Sequence, residues 1–197
     1  MRSNIFLTSS LIVILITSGL LNADDEGPPR PYITTSPHGR YYFKMLPKTL
    51  ESPKPFEYLD GEPKTIPHTG ISYELKADGN DVELWRIEGW YASEVYLAGD
   101  GEHLVRMGSW PRGQEPSEDH LAVACYRGGG LFKEYSTADL IKRKRKVKRS
   151  LSHYFWRAED QSYPRIGPNY FKLKTIENTV YTFDIFTGEI ISSKRKF

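Results

Sequence analysis

The sequence predicts an all-β protein of antiparallel meanders with one short helix. Three observations carry that prediction. Apolar and polar residues alternate with a period of two through most of the chain, as in Val95-Tyr96-Leu97 and Leu121 to Tyr126. Glycine-centred turns separate the alternating runs, and Asp-Gly supplies the φ > 0 position that a tight hairpin needs. Aromatic content is 13%, with 16 Gly and 13 Pro, a balance that favours strands and turns over helices. With 39% hydrophobic and 26% charged residues in 197, the chain can bury the core of one domain and is not disordered.

Residues 1–23 read as a signal peptide. Arg2 precedes an apolar run from Ile5 to Leu21, and Leu21-Asn22-Ala23 is an acceptable small-residue cleavage site before Asp24. The run is just long enough for an uncleaved N-terminal signal anchor to be the alternative. A lone Cys125 allows no internal disulfide, which tilts the compartment towards a bacterial periplasmic or otherwise secreted setting. Leu121 and Val123 share its strand face, so a buried, inert thiol is expected.

Residues 24–37 hold Pro28, Pro29, Pro31 and Pro37 and read as a Pro-rich linker, an extended arm before a single β-rich domain over 38–191. A strand runs through Tyr41 to Met45. Residues 47 to 69 carry five prolines, which exclude a central strand or a helix interior there. Ile71, Tyr73 and Leu75 then form a hairpin with Val82 to Ile87 across Asp78-Gly79-Asn80-Asp81. Both faces of that hairpin carry large residues, which suits a sheet covered on both sides.

Val95 and Leu97 should pair with His103 to Met107 across Ala98-Gly99-Asp100-Gly101. Leu121 to Tyr126 should pair with Leu131 to Tyr135 across Gly128 to Gly130. Ser136-Thr137-Ala138-Asp139 has the form of a capping box. The helix it starts is expected to run through Leu140 and Ile141 into the basic run, with Leu140, Val147 and Leu151 on one face. Strands follow at Leu151 to Ala158, Tyr170 to Ile176 and Val180 to Ile185, with a turn at Glu177-Asn178. Residues 192–197 are expected to be a frayed tail.

Ser36-Pro37-His38-Gly39-Arg40, followed by apolar alternation, is echoed by Ala98 to Gly101, and a third unit without the glycine turn spans Ser152 to Ile190. The first segment resembles the strand repeats of TolB-like β-propellers, with His38 where that pattern usually has Asp. The resemblance implies blade-like or barrel-like sheets and a role as a binding scaffold.

The loop Gly108 to Asp119 and its neighbour His120 are the first place to look for a site. Trp110 and Arg112 can stack on and hydrogen-bond a flat or anionic ligand, and the carboxylates of Glu115, Glu118 and Asp119 with His120 could hold a metal or move protons. Trp90, after Gly89, could form an aromatic platform. His153 shares an alternating face with Leu151 and Phe155 and reads as a satisfied interior histidine. No His-x-x-x-His or His-Glu-x-x-His spacing, nucleophile elbow or phosphate-cradling loop occurs, so no cofactor, metal or catalytic residue is assigned.

Lys142, Arg143, Lys144, Arg145, Lys146, Lys148 and Arg149 put seven basic residues in a run of eight. Without them the chain holds 20 Lys and Arg against 25 acidic residues. The run could dock an anionic surface, with no specific nucleic acid implied. The function expected is a non-enzymatic exported binding module for a protein or polysaccharide. The alternatives are a hydrolase of cell-envelope or extracellular polymers, and a polyanion or membrane-surface docking protein.

Overall fold

A computed structural model describes residues 27–50 and 65–195. The expected leader, most of the proline-dense excursion and the last two residues lie outside them.

Alternation does what it predicts: it builds three four-stranded antiparallel sheets, each an up-and-down meander. The first holds β1 (Tyr32–Thr35), β2 (Tyr41–Leu46), β5 (Thr69–Glu74) and β6 (Val82–Glu88) in that order. Between β2 and β5 a two-residue ladder joins β3 (Thr49–Leu50) to β4 (Thr65–Ile66). The second sheet follows the chain through β7 (Val95–Leu97), β8 (His103–Met107), β9 (Leu121–Arg127) and β10 (Gly130–Ser136). Next come α1 (Thr137–Leu140), a single 3-10 turn at Lys144–Lys146, and the small pair β11 (Lys148–Arg149) and β12 (Tyr154–Phe155). The third sheet is β13 (Arg165–Ile166), β14 (Tyr170–Lys174), β15 (Thr179–Asp184) and β16 (Ile190–Arg195). None of the sheets closes into a barrel.

The second sheet lies between the other two, and its alternation divides side chains between two cores. Val95, Leu97, Leu104, Ala124 and Tyr126 pack against Phe43, Met45, Trp85 and Ile87 of the first sheet. Val105, Met107, Val123 and Cys125 pack against Phe171, Leu173, Tyr181 and Phe183 of the third. Strands buried on both faces need near-continuous apolar runs, and Leu121 to Tyr126 is one. The opening strands also meet, β7 lying against both β1 and β13.

Turn chemistry fixes how the sheets join. Gly101 sits at φ 74° in the β7–β8 turn, and a Cβ there would come within 2.6 Å of the Tyr41 ring. Its carbonyl accepts hydrogen bonds from Ser72 Oγ and Trp85 Nε1, both at 2.8 Å, so one turn of the second sheet is held by two strands of the first. Asp100 Oδ1 accepts the backbone N–H groups of Glu102 and His103, and its Oδ2 lies 2.6 Å from His103 Nδ1. The segments Ser36 to Arg40 and Ala98 to Gly101 occupy the same place in their sheets, the link between first and second strand. In the third sheet Gly167-Pro168-Asn169 holds that place, so the third unit begins at Arg165 rather than Ser152.

Several expectations need correction. The basic run is not an α-helix, and its helical content is the 3-10 turn at Lys144–Lys146. The capping box forms as expected, Ser136 Oγ accepting from Asp139 N and the Asp139 carboxylate accepting from Ser136 N, but Ile141 is already extended. Burying Leu140, Ile141 and Val147 in the same core requires the chain to turn between them, and Leu151, expected on their face, is 84% exposed. The expected strand over Leu151 to Ala158 shrinks to Tyr154–Phe155. The linker over 24–37 ends early, because Tyr32–Thr35 pairs with Tyr42–Met45. The tail is not frayed through Arg195, since Thr179 to Thr182 pair with Ser192 to Arg195.

Replacing Gly101 with Ala should destabilise the fold by about 1–3 kcal/mol, because a left-handed backbone and a ring contact are both violated. Trp85→Phe, which removes one of the two donors to the same carbonyl, should cost about 1 kcal/mol. Urea midpoints followed by circular dichroism measure both, and an unchanged midpoint for Gly101→Ala would contradict the turn's role.

Candidate functional site

Between the second and third sheets the chain from β8 to β9 and the chain from β12 to β13 leave a cleft of about 580 Å³. Trp110 lies along it because Pro111 and Pro116 are buried and fix the loop at both ends. The Trp110 ring stacks on His153 with centroids 4.2 Å apart and planes 27° apart, and it meets the edge of Phe155 at 6.2 Å. His153 is buried, with Nδ1 2.7 Å from Ser150 Oγ, as an interior histidine should be. The Arg112 and His153 backbones form an antiparallel bridge beneath the stack.

The cleft's polar wall comes from residues far apart in sequence. Arg157 Nη1 donates to Glu94 Oε2 at 2.5 Å, and the Tyr96 hydroxyl donates to Glu94 Oε1. Burial and the bond to Glu94 push the Tyr96 phenol well above its usual range. Across the cleft the Lys174 ammonium, 2.8 Å from Asp160 Oδ2, together with the Ser162 N–H, holds the Asp160 carboxyl below the usual carboxylate range. Glu159 and Tyr163 complete the rim. The arrangement offers an aromatic floor, a guanidinium and carboxylates, which suits holding a ligand by stacking and hydrogen bonds.

The five side chains singled out from the sequence are not gathered into one pocket. Trp110 lines the cleft, and it also lines a second depression of about 530 Å³ with Arg112, Tyr91 and Arg30. Glu115 is exposed and pairs with Lys144 at 3.3 Å. His120 turns away from the cleft: its Nδ1 lies 2.9 Å from the Tyr154 hydroxyl, which in turn is 2.6 Å from Thr137 Oγ1. That chain of contacts anchors the loop to α1, since Thr137 Oγ1 also donates to the Ser117 carbonyl. Trp90 packs in the core between the first two sheets, with the Arg106 guanidinium 4.3 Å above its ring and Tyr126 at 5.3 Å.

Glu94, Arg157, Asp160 and Tyr163 escaped sequence reasoning. Glu94 and Arg157 are 63 positions apart, and no local pattern marks either. The basic run forms an exposed ridge pinned at Val147, which is buried. Lys144 goes to Glu115, Arg149 Nε donates to the Gln114 carbonyl, and the Lys142 N–H donates to Glu177 in the β14–β15 turn. Arg143, Arg145, Lys146 and Lys148 have no carboxylate partner among the described residues. Cys125 is buried at mid-strand, and that burial pushes its thiol up to about 12.

No protein-family model matches this chain, and no curated protein matches it.

Glu94→Gln should lower stability by about 1–2 kcal/mol, because it removes the charge that fixes Arg157 and the acceptor that fixes Tyr96 in a half-buried setting. A urea midpoint equal to that of the unmodified protein would mean the ion pair is ornamental. Cys125 should resist iodoacetamide at pH 8 in the folded protein and react fully in denaturant, as mass spectrometry reads directly.

Proposed function

We propose that this is an exported, non-enzymatic binding protein that holds its ligand in the cleft floored by Trp110. The observation that carries the reading is Trp110 stacked on His153, with Phe155 edge-on to both, in an open cleft where Glu94 and Asp160 are already paired. A general acid needs a carboxyl whose pKa is raised towards neutrality. Asp160 is shifted the other way by Lys174, and Glu94 is engaged by Arg157 and Tyr96. Such groups serve better as fixed hydrogen-bond partners than as proton carriers, which favours binding over hydrolysis of a polymer. A flat aromatic floor with polar walls suits the ring of a sugar or the backbone of an extended peptide.

Three stacked four-stranded meanders whose opening strands adjoin support the propeller-like reading of the architecture. Export rests on the apolar run from Ile5 to Leu21 and the Leu21-Asn22-Ala23 site, with the leader removed after Ala23.

Tryptophan emission provides the test, because Trp110 and Trp156 both line the cleft. Titration with chito-oligosaccharides, xylo-oligosaccharides and proline-rich peptides should reveal one class that quenches or shifts the emission. Trp110→Ala should weaken that class roughly tenfold or more, the usual scale for losing a central aromatic anchor. Turnover of any of these compounds, abolished by Glu94→Gln, would reject the non-enzymatic reading. Amino-terminal sequencing of the mature protein should begin at Asp24; retention of Met1 or the apolar run would reject leader removal.

A further inference from the structure

Charge is divided unevenly along the chain. After Ile141 there are fourteen Lys and Arg against five Asp and Glu, and up to Ile141 there are thirteen against twenty. The basic ridge explains half of those fourteen. Much of the remainder stands on the face of the third sheet that looks away from the core.

That sheet turns Phe171, Leu173, Tyr181 and Phe183 inward. Strand alternation therefore places Lys172 and Lys174 on the opposite face, and the register brings Arg165 directly across from Lys172. The same rung continues through Thr182 to Ser192, and the next runs from Lys174 through Val180 to Lys194. Like charges facing each other across a ladder destabilise a sheet. Lys174 is neutralised by Asp160, but among the described residues no carboxylate pairs with Arg165, Lys172 or Lys194. A depression of about 400 Å³ lies over these residues, and none of its lining side chains is acidic.

We propose that this face binds a polysaccharide carrying carboxylate or sulfate groups. Arg165, Lys172 and Lys194 would meet the anionic groups, and Asn169, Thr182 and Ser192 offer an amide and two hydroxyls for sugar hydroxyls. A negative ligand resolves the Arg165 to Lys172 juxtaposition that the protein leaves uncompensated. Nucleic acid fits less well, because single strands bind by stacking bases on open aromatic faces. Here the Arg165 guanidinium lies 5.7 Å from the Tyr163 ring centroid and Lys172 Nζ lies 4.5 Å from that of Tyr170. The surface is distinct from the Trp110 cleft, which it borders at Tyr163.

The test uses the whole mature protein and polygalacturonate or heparin as probe, with oligothymidylate and phosphatidylserine vesicles as competitors. The triple variant Arg165→Gln, Lys172→Gln, Lys194→Gln should bind at least one of the two glycans roughly tenfold more weakly, with a shallower dependence on salt. Its urea midpoint should equal or exceed that of the parent, which separates lost binding from lost folding. The triple variant should still show the tryptophan-emission change of the parent with the cleft's ligand class, so failure of the cleft reading and failure of this one are distinguishable. Equal glycan binding by parent and triple variant overturns the proposal. So does tighter binding of oligothymidylate or vesicles than of either glycan, or loss of glycan binding only when Arg143, Arg145 and Lys146 are neutralised.

Discussion

Everything in this fold depends on the second sheet having no solvent face over its inner strands. Val95, Leu97 and Leu104 must enter one core while Val105 and Met107 enter the other, and both cores need their own opposing sheet. A slip of one residue would exchange the two sets of side chains, so register is specified from both sides at once. This double burial explains why the apolar run Leu121 to Tyr126 lacks the polar face of an ordinary antiparallel strand.

The joints between sheets are made differently on the two sides. Against the first sheet the contact is a turn, with the Gly101 carbonyl held by Ser72 and Trp85. Against the third it is a wedge of irregular chain from Thr137 to Trp156, which puts Leu140, Ile141, Val147, Tyr154 and Trp156 into the shared core. The Tyr181 hydroxyl donates to the Leu140 carbonyl at 2.7 Å, and the Tyr135 hydroxyl donates to the Gly188 carbonyl at 3.0 Å. Irregular chain cannot cover a sheet edge to edge as another sheet does. The cleft at Trp110 opens where that wedge runs out.

Local rules worked wherever a few neighbouring residues decide the outcome. The turns at Gly79, Gly101 and Gly128-Gly129 are where the glycines required them, and among the described residues Asn178 is the one non-glycine residue with a left-handed backbone, at φ 63°. The capping box at Ser136 and Asp139 formed for the same reason. The basic run failed as a helix because intrinsic propensity is a small bias, and burial of Ile141 and Val147 outweighs it. Of the side chains proposed for binding, Trp110 and Arg112 line surface depressions, whereas His120 and Trp90 are taken up in holding the loop and the core. An isolated aromatic or histidine carries no mark of which use it will have.

Read by itself, the chain determined its class, the places of β2, β5 to β10, β14 and β15, and most of its turns, because side-chain period and backbone chirality act over two to four residues. It also located its concentrated positive charge and its inert cysteine. Only the tertiary structure decided that the strands divide into three stacked sheets, that Glu94 meets Arg157, and that Arg165 faces Lys172. Those are contacts between segments whose separation in sequence is set by loop lengths, and no local energy term records which distant strand a residue will oppose.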